Sequence, residues 1–327
     1  MSNECFRHVR MFTVLYLDEN QIQHSSLGRG ALPYRDVYIG CASNLIASCS
    51  RHGVHVEILT NQPAYVNAQL RRLGAPESAI GASFSRDVPK NIPFYAAHFK
   101  LDAIRRLASG EFGDYVSLID NDVVMLDLPK VDLAFWTNTR LFVYDISSTV
   151  LEEYGEDLVQ SDLRRVAAAN LQSTKWFGGE FIAGSSCAFR KLSERLELLW
   201  PTYKALTRAL HHVGDEMIVS AALNGLIDEQ KIQVIDVGDA PYRWISRWFS
   251  TRSRFRQMPL SIHLRSSMLH LPADKRFIAG SLTRSFEPER FISKYRRHVR
   301  RKLLLRKIVN TVGMIRGKMI RQVPRLS

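Results

Sequence analysis

The chain has 327 residues, 46% of them apolar, with 45 Lys and Arg against 32 Asp and Glu. That is enough for one large α/β domain or two small ones with a sizeable core, and it excludes global disorder. No segment approaches the roughly 20 apolar residues that span a bilayer, and the polar stretch from Met1 to Arg10 does not read as a signal peptide.

Cys5, Cys41, Cys49 and Cys187 form no C-x-x-C pair. A zinc ribbon and a disulfide scaffold are therefore disfavoured, and a reducing cytoplasm is expected. The net charge of +13 is unevenly spread: twelve Lys or Arg and no acid lie from Lys294 onward, so removing those twelve charges leaves +1 for the body. The basic character belongs to a tail.

Phe12 to Leu17 reads as a buried strand, aromatic and β-branched, ending in Asp18-Glu19-Asn20. A polar, Gly-containing loop follows to about Arg35. Apolar residues at helical spacing predict a helix from Val37 to Arg51, closed by Gly53. Val54 to Leu59 is a second strand, and Ala64 to Leu73 a helix that stops at Gly74. Phe94 to Leu107 is a further helix and Tyr115 to Ile119 a third strand. Between Asp145 and Lys175 lies a candidate insertion near the site, with a helix from Leu158 to Leu171. Trp244 and Trp248 stand at helical spacing and read as packing. Strands alternating with helices predict a single, mostly parallel layered sheet, Rossmann-like, with helices on both faces. Ligands bind such sheets at the carboxyl ends of strands. The acidic clusters after Leu17 and after Ile119 both fall there.

The second cluster is Asp120-Asn121-Asp122, a D-x-D pattern between Tyr115-Val-Ser-Leu-Ile119 and Val123-Val-Met-Leu126. Two carboxylates two residues apart at the end of a buried strand can share one hard cation, Mg²⁺ or Mn²⁺, which keeps positions open for phosphate oxygens. A simple surface turn rarely needs an apolar run directly after it.

His98-Phe-Lys-Leu-Asp-Ala-Ile-Arg-Arg106, followed by Asp114 to Leu126, resembles the A-type fold of nucleotide-sugar glycosyltransferases. It is most similar to glycosyltransferase family 8 and its bacterial lipopolysaccharide relatives. The resemblance continues in Phe181 to Phe189, similar to the family's "N-A-G-V" strand, and in Gly214 to Asn224, similar to its "D-Q-D-x-L-N" helix. It implies a metal-dependent hexosyltransferase using a nucleotide-diphosphate sugar, UDP-sugar by preference, in lipopolysaccharide or polysaccharide biosynthesis. It also implies that Leu17, Asp18 and Asn20, at the end of the first strand, contact the nucleoside, with Asn121 in the nucleotide site. Two departures stand out. The family's "H-x-x-G-x-x-K-P-W" ending is reduced to His270-Leu-Pro-Ala-Asp-Lys275-Arg276, and Glu216 stands where the family commonly has Gln.

His270 is the candidate third metal ligand beside Asp120 and Asp122, with His263 as its rival. Lys275 and Arg276 are candidates to clamp a diphosphate, and Lys100 is a further cation. Asp215 and Glu216 are the carboxylates expected at the sugar end, one for donor hydroxyls and one for the acceptor proton. They equally suit a helix start. Glu180, read as lying on a loop after Trp176-Phe-Gly-Gly179, is a second base candidate, and Trp176 a candidate stacking surface for an acceptor sugar.

The body is expected to span 1–290 and a basic amphipathic tail 291–327. Within 299–323, Leu304, Leu305, Ile308, Val312, Ile315, Met319 and Val323 share one helical face. That pattern suits an anionic membrane surface at the cytoplasmic face. The competing functions are a nucleotidyltransferase that makes nucleotide sugars and, ranked last, a nucleic-acid binder. No aromatic set is interleaved with the basic residues, so no nucleic acid is expected.

Overall fold

The computed structural model describes residues 5–18, 33–90, 92–130, 136–250, 257–281 and 285–321, with side chains described up to 306. Its frame is a seven-stranded sheet. In chain order the strands are β1 (Arg10–Leu15), β2 (Val56–Thr60), β3 (Ala79–Gly81), β4 (Tyr115–Ile119), β6 (Arg140–Asp145), β7 (Phe177–Ser185) and β8 (Gln233–Asp236). The spatial order is β3-β2-β1-β4-β7-β6-β8, and every pairing is parallel except those of β7 with β4 and β6.

Side-chain alternation splits the core between the two faces of this sheet. Phe12, Leu118, Leu141 and Ile182 pack with α3 (Lys100–Leu107), α6 (Ser186–Leu206) and α7 (Asp215–Asp228) on one face. Met11, Ile119, Phe142 and Phe181 pack with α1 (Tyr34–Ser50) and α2 (Pro63–Arg72) on the other.

The sheet is not single. β5 (Val123–Met125), β9 (Ile245–Arg247) and β10 (Met268–His270) form a second sheet, ordered β5-β10-β9. This accounts for the apolar run after the acidic turn: Val123, Val124 and Met125 are fully buried, and Ser48 Oγ of α1 accepts from the Met125 amide at 3.1 Å. Trp244 and Trp248 flank β9 rather than share a helix, although both are buried as packing groups.

Other elements shift for local reasons. The helix expected from Phe94 becomes a 3₁₀ turn, Tyr95–Phe99, running into α3. The stretch from Asp145 to Lys175 holds two helices, α4 (Ser147–Tyr154) and α5 (Glu156–Ala167), broken at Gly155 with φ +88°. The strand read from Phe181 begins at Phe177 and stops at Ser185, whose Oγ accepts from the Ala188 amide at 3.1 Å and so caps α6. A single helical turn, α8 (Leu260–His263), precedes β10.

α10 runs unbroken from Pro288 to Arg321, so the expected boundary at 290/291 falls inside a helix. Its first turns belong to the body: Phe291, Tyr295 and Val299 are buried against Trp248, Leu269 and Ile278. Between α1 and α10 lies the short α9 (Lys275–Gly280). It approaches α1 so closely that a Cβ on Gly40 would meet the Ala279 Cβ at 2.7 Å. Asn44 of α1 adds a hydrogen bond from its Nδ2 to the Ile278 carbonyl at 3.1 Å.

Candidate active site

The chain leaves the large sheet at Ile119 and enters the small one at Val123, so Asp120-Asn121-Asp122 is the crossing between them. Its backbone is tied from both sides. The Asp120 amide donates to the Glu180 carbonyl at 3.0 Å, and the Leu271 amide donates to the Asp122 carbonyl at 3.1 Å. All three residues line a cleft of about 940 Å³ at the carboxyl ends of β1 and β4. The antiparallel β7 brings its amino-terminal half to the same edge.

Each carboxylate meets a different lysine. Lys100 Nζ lies 2.6 Å from Asp120 Oδ1 and 2.9 Å from Asp215 Oδ2, and donates to the Gly179 carbonyl at 3.0 Å. Burial alone would lower the Lys100 pKa, but the Asp120 and Asp215 charges raise it above the ordinary lysine value. The Lys275 ammonium is paired with Asp122. Burial would raise the Asp122 carboxyl, yet Lys275 and His270 hold it well below the usual carboxylate range.

His270 Nε2 stands 3.2 Å from Asp122 Oδ1 and 3.8 Å from Asp120 Oδ2, while its Nδ1 is 3.4 Å from Glu180 Oε1. Burial alone would lower its pKa, but the Asp122 charge and hydrogen bond, with Glu180 behind, raise it to about 9. Glu180 lies in β7, not on a loop, and is completely buried. Arg247 of β9 clamps it, donating from Nε to Oε1 at 2.7 Å, and also pairs with Glu216. Burial would raise Glu180 and Glu216, but Arg247 outweighs it and both are held below the ordinary carboxylate value.

Glu216 has two further donors, Trp176 Nε1 at 3.2 Å and the Gly179 amide at 3.3 Å. Trp176 is therefore an anchor for a carboxylate, with its ring buried in the core. The Gly178-Gly179 pair is needed because β7 runs directly beneath these groups. A Cβ at Gly179 would collide with Asp215 Oδ2, and one at Gly178 with the Glu180 carboxylate.

Asp120, Asp122 and His270 each offer a ligand atom, all within 4.8 Å of one another. Two carboxylates and an imidazole suit Mn²⁺ or Mg²⁺, and the charge balance favours such an ion. Among the described residues, five carboxylates (Asp120, Asp122, Glu180, Asp215, Glu216) meet three fixed cations, Lys100, Arg247 and Lys275. A divalent ion beside a neutral His270 would balance them when all five are ionised.

The remaining sequence candidates divide. Asn121 lines the cleft. Leu17 is buried in the core, and its amide is committed to Asn61 Oδ1 at 2.9 Å rather than turned to a ligand. Its neighbours Val14, Leu15 and Tyr16 line the cleft instead. Asp18 and Arg276 lie outside the cleft lining, and Asn20 lies outside the described residues. His263 lines the cleft but bonds to Ser246 Oγ at 2.6 Å and to the Met258 carbonyl at 3.1 Å, away from the metal group. Sequence reading missed Arg247, whose signal was a lone cation inside the aromatic run Trp244-Ile-Ser-Arg-Trp-Phe249. It also missed Tyr34 and Tyr38, which line the cleft from the start of α1.

No protein-family model matches the chain, and no curated protein matches its sequence. Among solved structures it is similar to a galactosyltransferase, LgtC, in complex with donor and acceptor sugar analogues. The identity is 15%, the alignment covers 84% of this chain and 96% of that one, and the TM-score is 0.44. It is likewise similar to an active-site mutant of LgtC, at 14% identity over the same shares, with a TM-score of 0.46.

Proposed function

We propose that the chain is a metal-dependent glycosyltransferase of the A-type fold. It moves a sugar from a nucleoside-diphosphate sugar, a UDP-sugar in the first instance, to a hydroxyl of a glycan or lipid-linked acceptor in lipopolysaccharide or polysaccharide biosynthesis. One observation carries this reading: the Asp120, Asp122 and His270 ligand atoms converge at strand ends, inside a cleft that Asp215 and Glu216 also line, with Lys100 between Asp120 and Asp215.

Asp120, Asp122 and His270 would hold Mn²⁺ or Mg²⁺, which neutralises diphosphate charge and improves it as a leaving group. Lys275 lines the same cleft and would supply a cation for phosphate oxygens. Tyr16, Tyr34 and Tyr38 offer apolar faces for a nucleoside. Glu216 is ionised and fixed by Arg247, Trp176 and Gly179, so it can stabilise positive charge developing on the donor sugar without reorganising. Asp215, steered by Lys100, is the group for donor hydroxyls or the acceptor proton. Glu180 has no free face for substrate and serves to orient His270 and Arg247.

The acceptor would enter past α4, whose Ser148, Thr149, Glu152 and Tyr154 line the cleft. Among the described residues no helix is long and apolar enough to cross a membrane. Exposed Leu303, Leu304 and Leu305, flanked by exposed Arg300, Arg301 and Arg306, support peripheral binding of α10 to an anionic surface.

The test is a panel of nucleotide sugars assayed for hydrolysis with Mn²⁺ and with chelator. Metal-dependent release of a nucleoside diphosphate is expected. Release unaffected by chelator would remove the ion from the mechanism, and no release from any donor would remove the function.

A further inference from the structure

Asp274 precedes Lys275 and occupies the N-cap position of α9, yet its side chain makes no cap hydrogen bond. An Asp in that place normally accepts from the helix's own first amides. Here the carboxylate turns to α10 instead. It accepts from Tyr295 Oη at 2.8 Å, His298 Nε2 at 3.1 Å and Lys302 Nζ at 2.5 Å, and Lys302 also reaches Ser250 Oγ at 3.2 Å.

Asp274 is buried, and burial alone would raise its pKa. The bonds from His298, Lys302 and Tyr295 reverse that and hold the carboxyl below the ordinary value. All three donors stand on one face of α10, within two turns. The next residue along the chain is the lysine paired with Asp122. On its other flank α9 is pinned to α1 at Gly40 and Asn44, and Cys41 Sγ donates to the Lys275 carbonyl at 3.3 Å. α9 is thus held from both sides, by packing and uncharged hydrogen bonds toward α1 and through charge toward α10.

We propose that the first half of α10 is part of the active-site frame: Tyr295, His298 and Lys302 are positioning residues that act through Asp274 to set where the Lys275 ammonium lies. The consequence for turnover rests on the reading of Lys275 as a diphosphate-binding cation, but the positioning itself does not. The same helix carries the exposed Leu303, Leu304, Leu305 and Arg306 just beyond residue 302, so one element joins the outer surface to the cleft.

The experiment uses the full-length chain in four variants: Asp274→Asn, Tyr295→Phe, Lys302→Met and, as a control, Arg297→Ala, an exposed residue of α10 that makes no contact with Asp274. Labelling rates with an amine reagent, read by mass spectrometry, report on Lys275, with Lys100 as the internal reference for the other half of the cleft. Asp274→Asn and Lys302→Met are expected to raise Lys275 labelling several-fold, Tyr295→Phe less so, with Lys100 unchanged and Arg297→Ala silent. In the same variants kcat on a nucleotide sugar falls while KM for the donor stays nearly constant, because phosphate charge grows toward the transition state. A parallel rise at Lys100 and Lys275 would mean general loosening and overturn the proposal, as would unchanged Lys275 labelling; faster Lys275 labelling with unchanged kcat would support the positioning and remove Lys275 as the cation that acts in turnover. If labelling responds as expected while the native chain turns over no nucleotide sugar, the positioning stands and the glycosyltransferase reading falls. Tyr295→Phe, which deletes a single hydroxyl, keeps the test open should Asp274→Asn fold poorly.

Discussion

The two carboxylates of the acidic turn face two differently built halves of the molecule. Asp120 looks toward the large sheet, where Lys100 comes from the helix just before its own strand and Asp215 from the start of α7. Asp122 looks toward the small sheet, where Lys275 lies 153 residues away in sequence and His270 nearly as far. The side chain of Asp120 is 22% exposed and that of Asp122 only 3%. The first half is a cleft wall in which the Asp120 carboxylate keeps some contact with solvent. The second is a buried ionic knot that folding must assemble from the chain's last third. The difference teaches that one short motif can join a local ion-pair network on one side to long-range tertiary contacts on the other.

The comparison breaks most visibly on substitution. Asp122→Ala leaves Lys275 and His270 as buried cations without their main partner, which costs about 3 kcal/mol or more of stability. Turnover is expected to fall by about a hundredfold or more in both Asp122→Ala and Asp120→Ala. Stability should drop in Asp122→Ala far more than in Asp120→Ala. Denaturant melts beside titration of UDP with Mn²⁺ measure both quantities. Equal stability losses would erase the distinction between the halves.

Truncation sharpens it next. Ending the chain at Arg290 removes every α10 donor to Asp274 and uncovers Trp248, Leu269 and Ile278, so the product is expected to be unstable and inactive. Ending it after Arg306 keeps those contacts. That shorter chain should act on a water-soluble acceptor, yet bind vesicles of anionic lipid less than the full chain does, with the difference shrinking as salt screens the charges. Co-sedimentation at low and high salt, beside the soluble assay, separates the docked first turns from the basic extension. Retained activity in the chain cut at Arg290 would make α10 an appendage after all.

Legibility in the sequence followed the same division. β4, α3 and the acidic turn were readable because their signal is local: a short apolar run, a helical period, then carboxylates at a strand end. Asp215 and Glu216 were singled out by the family resemblance of Gly214 to Asn224, and the competing reading of a helix start is also met, since α7 begins at Asp215. The second sheet was not readable, since each of its strands is only three residues long and none carries a full alternation. With β9 unread, Arg247 passed as a charge between two packing tryptophans. Glu180 looked like a loop base because Gly178-Gly179 resembles a turn, whereas the glycines clear space for Asp215 and for the Glu180 carboxylate itself. The start of α10 was set too late because its docking residues Phe291, Tyr295 and Val299 sit among charges that pointed toward solvent.

Glu216→Gln tests the sugar end. The isostere keeps either the Trp176 bond or the Gly179 and Arg247 bonds, because these reach different carboxylate oxygens and an amide nitrogen cannot accept, while Glu180 still satisfies that guanidinium. A loss of about ten- to a hundredfold in kcat, with little change in stability, is expected if the Glu216 charge acts on the reacting sugar. An unchanged kcat would reduce Glu216 to a structural partner of Arg247.

The last expected effect is a pH dependence, and it sets the two states of the buried knot against each other. His270 is raised to about 9 by Asp122 and Glu180, against about 6.5 for a free imidazole. A raised histidine stabilises the fold fully below its unfolded value, and that stabilisation is lost as pH climbs through about 9. The metal-free protein should therefore lose thermal stability progressively between roughly pH 6.5 and 9. Metal binding has the opposite sign, because an ion on Asp120, Asp122 and His270 requires the neutral imidazole and must displace its proton. Apparent Mn²⁺ affinity should rise about tenfold per pH unit across that window and level off above it. Calorimetric titrations in buffers of different ionisation enthalpy count the proton released, and thermal melts with and without Mn²⁺ give the opposing slopes. In His270→Gln both slopes should flatten. If they persist there, the proton belongs to another group and His270 is not the third ligand.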